Sequence, residues 1–402
     1  MAEKALVDYM YGLVERVMRE IGPRESCSEE ERRLGRLFAQ EVEDACDRVA
    51  FETFTCSPTA FMGFFPYLVA LYLFGVVFYF FVPPLALAAS LVAITVFFLE
   101  VVRYREFIDF LYPKREGENV IGVIKPRGTP ERRVIVSAHL DSAYEFKIWY
   151  WFKGFSPVIM GLAVLALLLL FGFSLARTVA DPWGFPESRV FVGLGIALAA
   201  FTPVVAPFFF FHTSDVVPGA MDDMAGVAVL AGLAKYLQAA RRDGRFFPQR
   251  TEVVLLALSS EEAGLRGAKR YAAAHARETV DLPTYALFLD GIYDQDFLTV
   301  FEKELWPGGK MDPRLVDLAI RCADKIGNPV RRGVLPLGAT DASAFAREGI
   351  PSVSISLWDT TRLVPHYHTR LDTVERIRPE SLGVALDLVV EMIKEIDEEG
   401  LR

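Results

Sequence analysis

Residues 53–99 carry no charged side chain, and this run constrains the fold of the chain more than any other feature. A helix needs about 20 apolar residues to cross a membrane. The run therefore has room for two spans, predicted at residues 61–82 and 85–102, with Pro83-Pro84 forming a tight turn between them. A buried core helix of a soluble protein does not need a run of this length.

A second pair of apolar segments, residues 154–176 and 190–214, is separated by the polar loop 177–189. Pro203 and Pro207 predict a kink in the fourth span, because proline removes a helical hydrogen bond. The sequence thus predicts two transmembrane hairpins, residues 59–102 and 154–212. An even number of spans keeps both termini and the remaining chain on one side of the membrane.

The remaining segments, 1–58, 103–153 and 213–402, have the combined size of one large domain. They alternate between strands such as "RRVIVSAH", "TEVVLLALS", "YALFLD" and "SVSISL" and helices such as "GVAVLAGLAKYLQAA". This alternation predicts an α/β fold, a mostly parallel mixed sheet sandwiched by helices. Ser28, with Glu31 three residues later, predicts a helix N-cap with a capping box.

Composition excludes some classes of function. Hydrophobic residues make up 52% of the chain and charged residues 24%, so polar and apolar parts are segregated along it. A net charge of −9 argues against a nucleic-acid partner. The four cysteines form no CxxC pair, and their spacing makes a disulfide framework unexpected.

Polar side chains follow the predicted strands, at the edge where α/β sheets bind ligands. They are His139 and Asp141, Glu261 and Glu262, Asp290, and the pair His366 and His368, together with Asp222 and Asp223 at a helix start. Imidazole and carboxylate ligands without thiolate suit zinc in an open catalytic site, and a paired-metal site needs a bridging carboxylate. Asp141 can orient His139, because residues i and i+2 of a strand point the same way. Adjacent Glu261 and Glu262 point differently, so one can bind metal while the other acts as a base.

The motifs "HLD", "PGAMDDMAG", "SSEEAGLRGA", "FLD" and "HTRLDT" occur in the order seen in the M28 family of zinc aminopeptidases, and the opening "IGPRESCSEEERRLGRLFAQEVEDACDRVAFETF" also resembles that family. The resemblance covers the soluble segments and none of the apolar hairpins. It implies two zinc ions, one bound by His139 and Asp290, the other by Glu262 and His368, with Asp222 bridging. It also implies that Glu261 is the general base and that Asp141 supports His139.

The sequence departs from the family pattern in three places. Met221 and Met224 flank Asp222-Asp223, where the family often has a third acidic residue before the pair and Asn or Asp after it. Asp141 and Asp222 are far apart, and the third and fourth spans account for most of the gap. "GATDASAF" lacks the histidine that many members have there, so Asp341 is expected to be a turn residue or a partner of a ligand. His368 fits the motif better than His366, and Asp223 is expected to cap the following helix.

The implied activity is hydrolysis of N-terminal residues of peptides. About 14 residues separate Asp141 from the third span, an extended length of at most about 50 Å. We therefore expect the lipid bilayer beside the catalytic face, the aromatic "KIWYWFKGF" at the headgroup level, and hydrophobic or membrane-derived peptide substrates. Lys and Arg flank the spans more often on the domain side than at the hairpin tips, which favours a cytoplasmic domain.

Other functions remain open from the sequence. A single-zinc acyltransferase of the glutaminyl-cyclase type can keep the same ligand types. A catalytically inactive receptor or scaffold would be expected to lose a ligand or Glu261, and all are present. A transporter ranks last, because the predicted spans lack charged residues in their interiors.

Overall fold

The computed structural model describes residues 2–180, 188–211, 213–306, 309–360 and 364–401. Most of the predicted loop 177–189, and residue His212 at the end of the second predicted hairpin, lie outside these ranges. The chain divides into two units. The first comprises Met1–Pro58, Lys114–Tyr144 and Val216–Arg402, and the second comprises Thr59–Pro113 and Glu145–Asp215.

The first unit is built around one mixed sheet of eight strands. They are β1 (Arg48–Cys56), β2 (Arg115–Ile124), β3 (Arg132–His139), β4 (Thr251–Leu258), β5 (Thr284–Ile292), β6 (Leu298–Glu304), β7 (Arg331–Leu335) and β8 (Ser352–Leu357). Their order across the sheet is β1-β2-β4-β3-β5-β8-β6-β7. The four central strands β4, β3, β5 and β8 are parallel, so their carboxyl ends meet at one edge.

The central strands are apolar because both faces of the sheet are covered. In β4, for example, every residue except Glu252 is buried. The helices of this unit are Lys4–Glu20, Glu29–Val42, Ala225–Asp243, Arg266–His275, Glu278–Asp281, Pro313–Ile326, Asp341–Arg347 and Pro379–Glu399. The predicted α/β fold, with a mixed sheet between helices, is confirmed.

The predicted capping box at the start of helix Glu29–Val42 is half right. The Ser28 side chain accepts a hydrogen bond from the N–H of Glu31, as an N-cap should. The Glu31 carboxylate does not accept a hydrogen bond from the N–H of Ser28, as a capping box requires. It accepts instead from the N–H groups of Cys27, at 2.7 Å, and of Ser260, at 2.8 Å. Glu31 therefore links this helix start to the segment that follows β4.

The second unit is helical. Its elements are Ala60–Gly63, Phe65–Phe81, Pro83–Phe97, Phe98–Val102, Asp109–Leu111, Lys147–Phe152, Lys153–Phe155, Ser156–Ala180, Arg189–Ala200, Thr202–Val205 and Ala206–Phe210. Pro83 and Pro84 are the first residues of the second long helix, so they do not form the predicted turn. Val82 alone connects the two helices. Proline suits the first helical turn, where its missing N–H has no helical partner.

Among the described residues, four helical segments are long and apolar enough to cross a membrane: Ala60–Phe81, Pro83–Val102, Lys147–Ala180 and Arg189–Phe210. Their mean hydropathies lie between 2.0 and 2.7. The fourth is broken after Ala200, and Pro203 and Pro207 lie in the first turns of the two short helices that follow. The kink predicted from these prolines is therefore present.

The second unit has its own apolar interior. Tyr72 and Tyr79 are buried in it, and their hydroxyls donate to the main-chain oxygens of Leu198, at 2.7 Å, and Phe191, at 3.1 Å. Residues 103–113, 145–153 and 213–215 were assigned to the peptidase domain from the sequence, but they belong to this unit. The reason is that Ile108, Phe146 and Ile148 pack into the same apolar cluster.

Candidate metal centre

The carboxyl ends of the four parallel strands bring the predicted site residues to one place. His139 is the last residue of β3, Asp290 lies near the end of β5, and Glu261 and Glu262 follow β4. His368 comes from the segment after β8. Asp222 precedes helix Ala225–Asp243, which packs against β3 and β5. Residues from five separate chain segments thus share one buried edge of the sheet.

Asp222 lies at the centre of this group. Its Oδ1 is 2.9 Å from Nε2 of His139, and its Oδ2 is 3.1 Å from Nε2 of His368. The two oxygens of one carboxylate therefore face two different imidazoles. His368 Nε2 also lies 3.3 Å from Oε1 of Glu262.

In the part of the chain that the structure describes, three overlapping groups of side chains have ligand atoms within 4.8 Å of one another. The first joins His139, Asp222 and Asp290, and the second joins Asp222, Glu262 and His368. The third adds Glu261 to His139 and Glu262. Asp222 belongs to both of the first two groups. The donors are imidazole nitrogens and carboxylate oxygens, which suit zinc.

Asp141 holds several parts of the site in position. Its Oδ1 lies 3.3 Å from Nδ1 of His139, so the other ring nitrogen, Nε2, faces Asp222. The same carboxylate accepts the N–H groups of Glu261 and Glu262, both at 3.0 Å, and the hydroxyl of Ser26 at 2.6 Å. Asp141 is fully buried. One carboxylate therefore orients a candidate ligand and the backbone of the two glutamates.

Asp223 and Asp372 hold the segment that carries Asp222. Asp223 accepts from the N–H of Gly226 at 3.3 Å, in the first turn of the following helix, as predicted, and from the N–H of His139 at 3.1 Å. Asp372 accepts from the N–H groups of Met221, at 2.8 Å, and Asp222, at 3.3 Å. The peptide bond between Asp222 and Asp223 is cis.

Electrostatics at the site favour a bound cation. Burial raises the pKa of Asp290 to about 7, with the nearby Asp222 adding to the effect. Burial opposes charge on His368, but Glu262 and Asp222 raise the pKa of this imidazole to about 10. Burial also raises the pKa of Glu261 well above its usual value. Asp290 and Glu261 thus favour their protonated forms where the positive charge of a divalent cation would stabilise the carboxylates instead.

The other predicted residues lie outside these groups. His366 is buried with its ring edge-on to Tyr293, 4.8 Å between ring centres, which agrees with the preference for His368. Asp341 is the buried first residue of helix Asp341–Arg347, and its Oδ1 has no hydrogen-bond partner in the described part of the chain. A further histidine, His275, pairs with two glutamates, Glu52 at 2.9 Å and Glu278 at 2.7 Å.

Sequence reasoning missed four residues that support the site: Arg24, Ser26, Glu31 and Asp372. Three of them precede the first strand, far along the chain from the ligands. The motif "HTRLDT" contains Asp372, but nothing in the motif says that its carboxylate accepts main-chain N–H groups. The one sequence signal that could have indicated Asp372 was its position, four residues after the candidate ligand His368.

Residues 206–393 match the model of peptidase family M28. The chain contains an M28 peptidase domain. The matched range includes Asp222, Glu261, Glu262, Asp290 and His368. His139 and Asp141 precede it, as expected when the apolar insertion separates them from the rest of the M28 motifs. The family match supports a hydrolase of the peptidase type.

Solved structures of aminopeptidases and of glutaminyl cyclases resemble this chain. A zinc aminopeptidase from Bacillus subtilis has 16% identity and a TM-score of 0.57, with 97% of this chain and 94% of that chain covered. An Acidobacteriales bacterium glutaminyl cyclase has 16% identity and a TM-score of 0.59, with 100% and 97% covered. The LapA aminopeptidase of Legionella pneumophila has 13% identity and a TM-score of 0.55, covering 98% and 72%. At these identities the likeness establishes the fold. A search of curated protein sequences gave no match.

Proposed function

We propose that this chain is a membrane-anchored di-zinc aminopeptidase. The observation that carries the proposal is the position of Asp222, whose two carboxylate oxygens face His139 and His368 and which belongs to two overlapping groups of ligand atoms. A carboxylate shared in this way suits a pair of metal ions. His139 and Asp290 would hold one zinc, Glu262 and His368 the other, with Asp222 common to both.

Glu261 is proposed as the general base. It lies in a group with His139 and Glu262, and its backbone N–H is fixed by Asp141. The zinc ions, when bound, polarise the scissile carbonyl and lower the pKa of water. Glu261 then accepts a proton from the attacking water at a carboxylate oxygen and passes it to the departing amine. Asp141 keeps His139 and Glu261 oriented throughout.

The test is a peptide-library digest with the wild-type chain and with Glu261→Gln. We expect the variant to bind as much zinc as the wild type and to lose about 10²–10⁴-fold in kcat. Glu302→Gln, an exposed glutamate on β6, is the matched control and should retain full activity. Unchanged cleavage by Glu261→Gln would overturn the assignment of the base, and the absence of cleavage by the wild type would favour a receptor or scaffold.

A glutaminyl-cyclase-type activity is the second candidate, because glutaminyl cyclases are among the solved structures that resemble this chain. Two measurements separate the candidates. Two zinc ions per chain and release of free N-terminal residues support the aminopeptidase. One zinc ion, together with loss of ammonia from peptides that begin with glutamine, supports the cyclase.

The proposed substrates are hydrophobic or membrane-derived peptides, and the bilayer is the proposed partner. The support is the chain path. The later of the two segments that form the second unit begins at Glu145, close after Asp141, and ends at Asp215, shortly before Asp222. One peptide, with a free N-terminus and with or without a C-terminal lipid, tests this in proteoliposomes. We expect a higher kcat/KM for the lipidated form, and equal values would remove the idea.

The proposed location of the peptidase unit is the cytoplasmic side of the membrane. Lys and Arg near the candidate spans are the support, since Arg103, Arg105 and Lys147 flank the domain side. A protease that cannot cross membranes should remove a C-terminal tag in inverted vesicles and leave it intact in right-side-out vesicles. The reverse pattern would place the unit on the other side.

A further inference from the structure

Two buried cysteines of the first unit lie side by side. The Sγ atoms of Cys27 and Cys56 are 3.6 Å apart, and both residues are less than a tenth exposed. Cys27 lies in the loop before helix Glu29–Val42, and Cys56 is the last residue of β1. The other two cysteines, Cys46 and Cys322, are free as well. The close pair is therefore formed by the fold between two separate chain segments.

The Cys27 loop is connected to the candidate catalytic segment. The Sγ of Cys27 lies 3.2 Å from the hydroxyl of Ser260, the residue directly before Glu261. The Glu31 carboxylate accepts the N–H groups of both Cys27 and Ser260. Ser26, the residue before Cys27, donates to Asp141. Any chemical change at this thiol therefore acts on residues that position the proposed base.

We propose that Cys27 and Cys56 are a redox modification site, oxidised by a peroxide to an intrachain disulfide that alters the proposed catalytic segment. A disulfide has an S–S length of about 2.05 Å, so each sulfur has to move by only about 0.8 Å. Such a movement needs a small side-chain rotation in each cysteine.

The chemistry balances with hydrogen peroxide as the oxidant. The Cys56 thiolate attacks a peroxide oxygen and the O–O bond breaks. The hydroxide that leaves takes up the proton lost by the thiol, so a sulfenic acid and one water form. The Cys27 sulfur then attacks the sulfenic sulfur, the S–O bond breaks and a second water leaves. Two thiols are oxidised by two electrons, and one peroxide is reduced to two waters.

The surroundings of Cys56 favour its role as the attacking thiol. The hydrogen bond with Cys27 lowers the pKa of the Cys56 thiol, and the positive charges of Arg266 and Arg270 act in the same direction against the effect of burial. Arg266 is itself buried. A thiol near positive charge has more of the reactive thiolate form. Only a small oxidant fits this role, because both sulfurs are screened from solvent.

The disulfide has two expected consequences. It closes a covalent loop between residues 27 and 56. Because this loop restricts the conformations of the unfolded chain, the melting temperature should rise by several degrees. It also removes the Cys27 thiol proton and draws its sulfur away from Ser260. Loss of one ordinary hydrogen bond corresponds to about a two- to tenfold effect, so kcat should fall by about that factor, reversibly.

The test uses the full chain in detergent, treated with hydrogen peroxide, alkylated, and digested without reductant. Mass spectrometry should find a peptide that joins Cys27 to Cys56, and dithiothreitol should release it. Cys46, which is partly exposed, is the internal control. It should be alkylated or oxidised without forming a crosslink to another cysteine. If Cys46 is oxidised but Cys27 and Cys56 are each found alkylated and not joined, the proposal is overturned. Because this measurement uses the wild type, it needs no variant that folds.

The activity measurement rests on the proposed peptidase function, and the crosslink measurement does not. A crosslink with the expected fall in kcat, absent in Cys56→Ser, supports both. A crosslink in an enzyme whose kcat does not change overturns the link to the catalytic segment while leaving the peptidase assignment intact. A chain that forms the crosslink but cleaves no peptide contradicts the proposed function and leaves the disulfide itself supported.

Discussion

Arg24 offers the sharpest test of how this site is held together. Its guanidinium is fully buried and still charged at neutral pH, since burial lowers its pKa only to about 10. It donates to four main-chain oxygens: Leu140 at 2.8 Å, Gly22 at 2.9 Å, Pro218 at 3.0 Å and Gly219 at 2.8 Å. One side chain therefore ties the loop before the second helix to the residues beside His139 and to the segment before Asp222.

Arg24→Lys keeps the charge but changes the geometry. An ammonium group has three donors on a single atom and cannot span acceptors that the guanidinium reaches from three nitrogens. We expect two of the four oxygens to lose their partner. Each buried, unpaired acceptor costs about 1–3 kcal/mol, so the free energy of unfolding should fall by about 2–6 kcal/mol. That is a large share of the total of about 5–15 kcal/mol that is typical of a domain.

The assay is urea denaturation of the full chain in detergent. Alkylation of Cys322, which is buried in helix Pro313–Ile326, reports unfolding of the first unit. The urea midpoint should fall in Arg24→Lys with little change in slope. Arg33→Lys is the matched control, because Arg33 is exposed and donates to one main-chain oxygen, that of Glu20. If both variants had the midpoint of the wild type, the reasoning about Arg24 would be refuted.

Two further predictions follow from buried carboxylates. Asp372→Asn should weaken zinc binding by about 10–100-fold, because an amide oxygen cannot accept both N–H bonds from Met221 and Asp222, and chelator competition measures this. Burial raises the pKa of Glu304 to about 7 in the folded chain. In the unfolded chain this carboxyl releases its proton at lower pH, so the free energy of unfolding falls as pH rises from about 4.5 to 7. Glu304→Gln should therefore be more stable than the wild type by up to about 3 kcal/mol at pH 8 and equal to it at pH 4, whereas exposed Glu302→Gln should match the wild type at both. Unchanged chelator competition, or equal stability at pH 8, would contradict the respective prediction.

The strands and the candidate ligands could be predicted because each depends on local sequence. A near-continuous apolar run such as that of β4 marks a strand buried on both faces, and parallel strands must present their carboxyl ends at one edge. The polar residues that follow those strands were therefore expected to meet. His139, Asp222 and His368 do so, although the chain between the first two includes a pair of long apolar helices.

The sequence misplaced features that depend on how a segment packs. Residues 103–113 and 145–153 look polar enough for the peptidase domain, yet Ile108 and Phe146 pack with the apolar helices. Pro83 and Pro84 suggested a turn, but proline is equally suited to the first turn of a helix. In each case the local pattern was compatible with two structures, and packing selected one.

By itself, the sequence determined the two apolar pairs of helices, the mixed sheet and the side chains gathered at its edge, since these follow from periodicity and from the order of strand ends. The tertiary structure alone decided what holds that edge together. Arg24, Glu31 and Asp372 act by binding main-chain N–H and C=O groups of distant segments. Every residue offers those backbone groups, so no residue pattern reveals which of them a buried side chain binds.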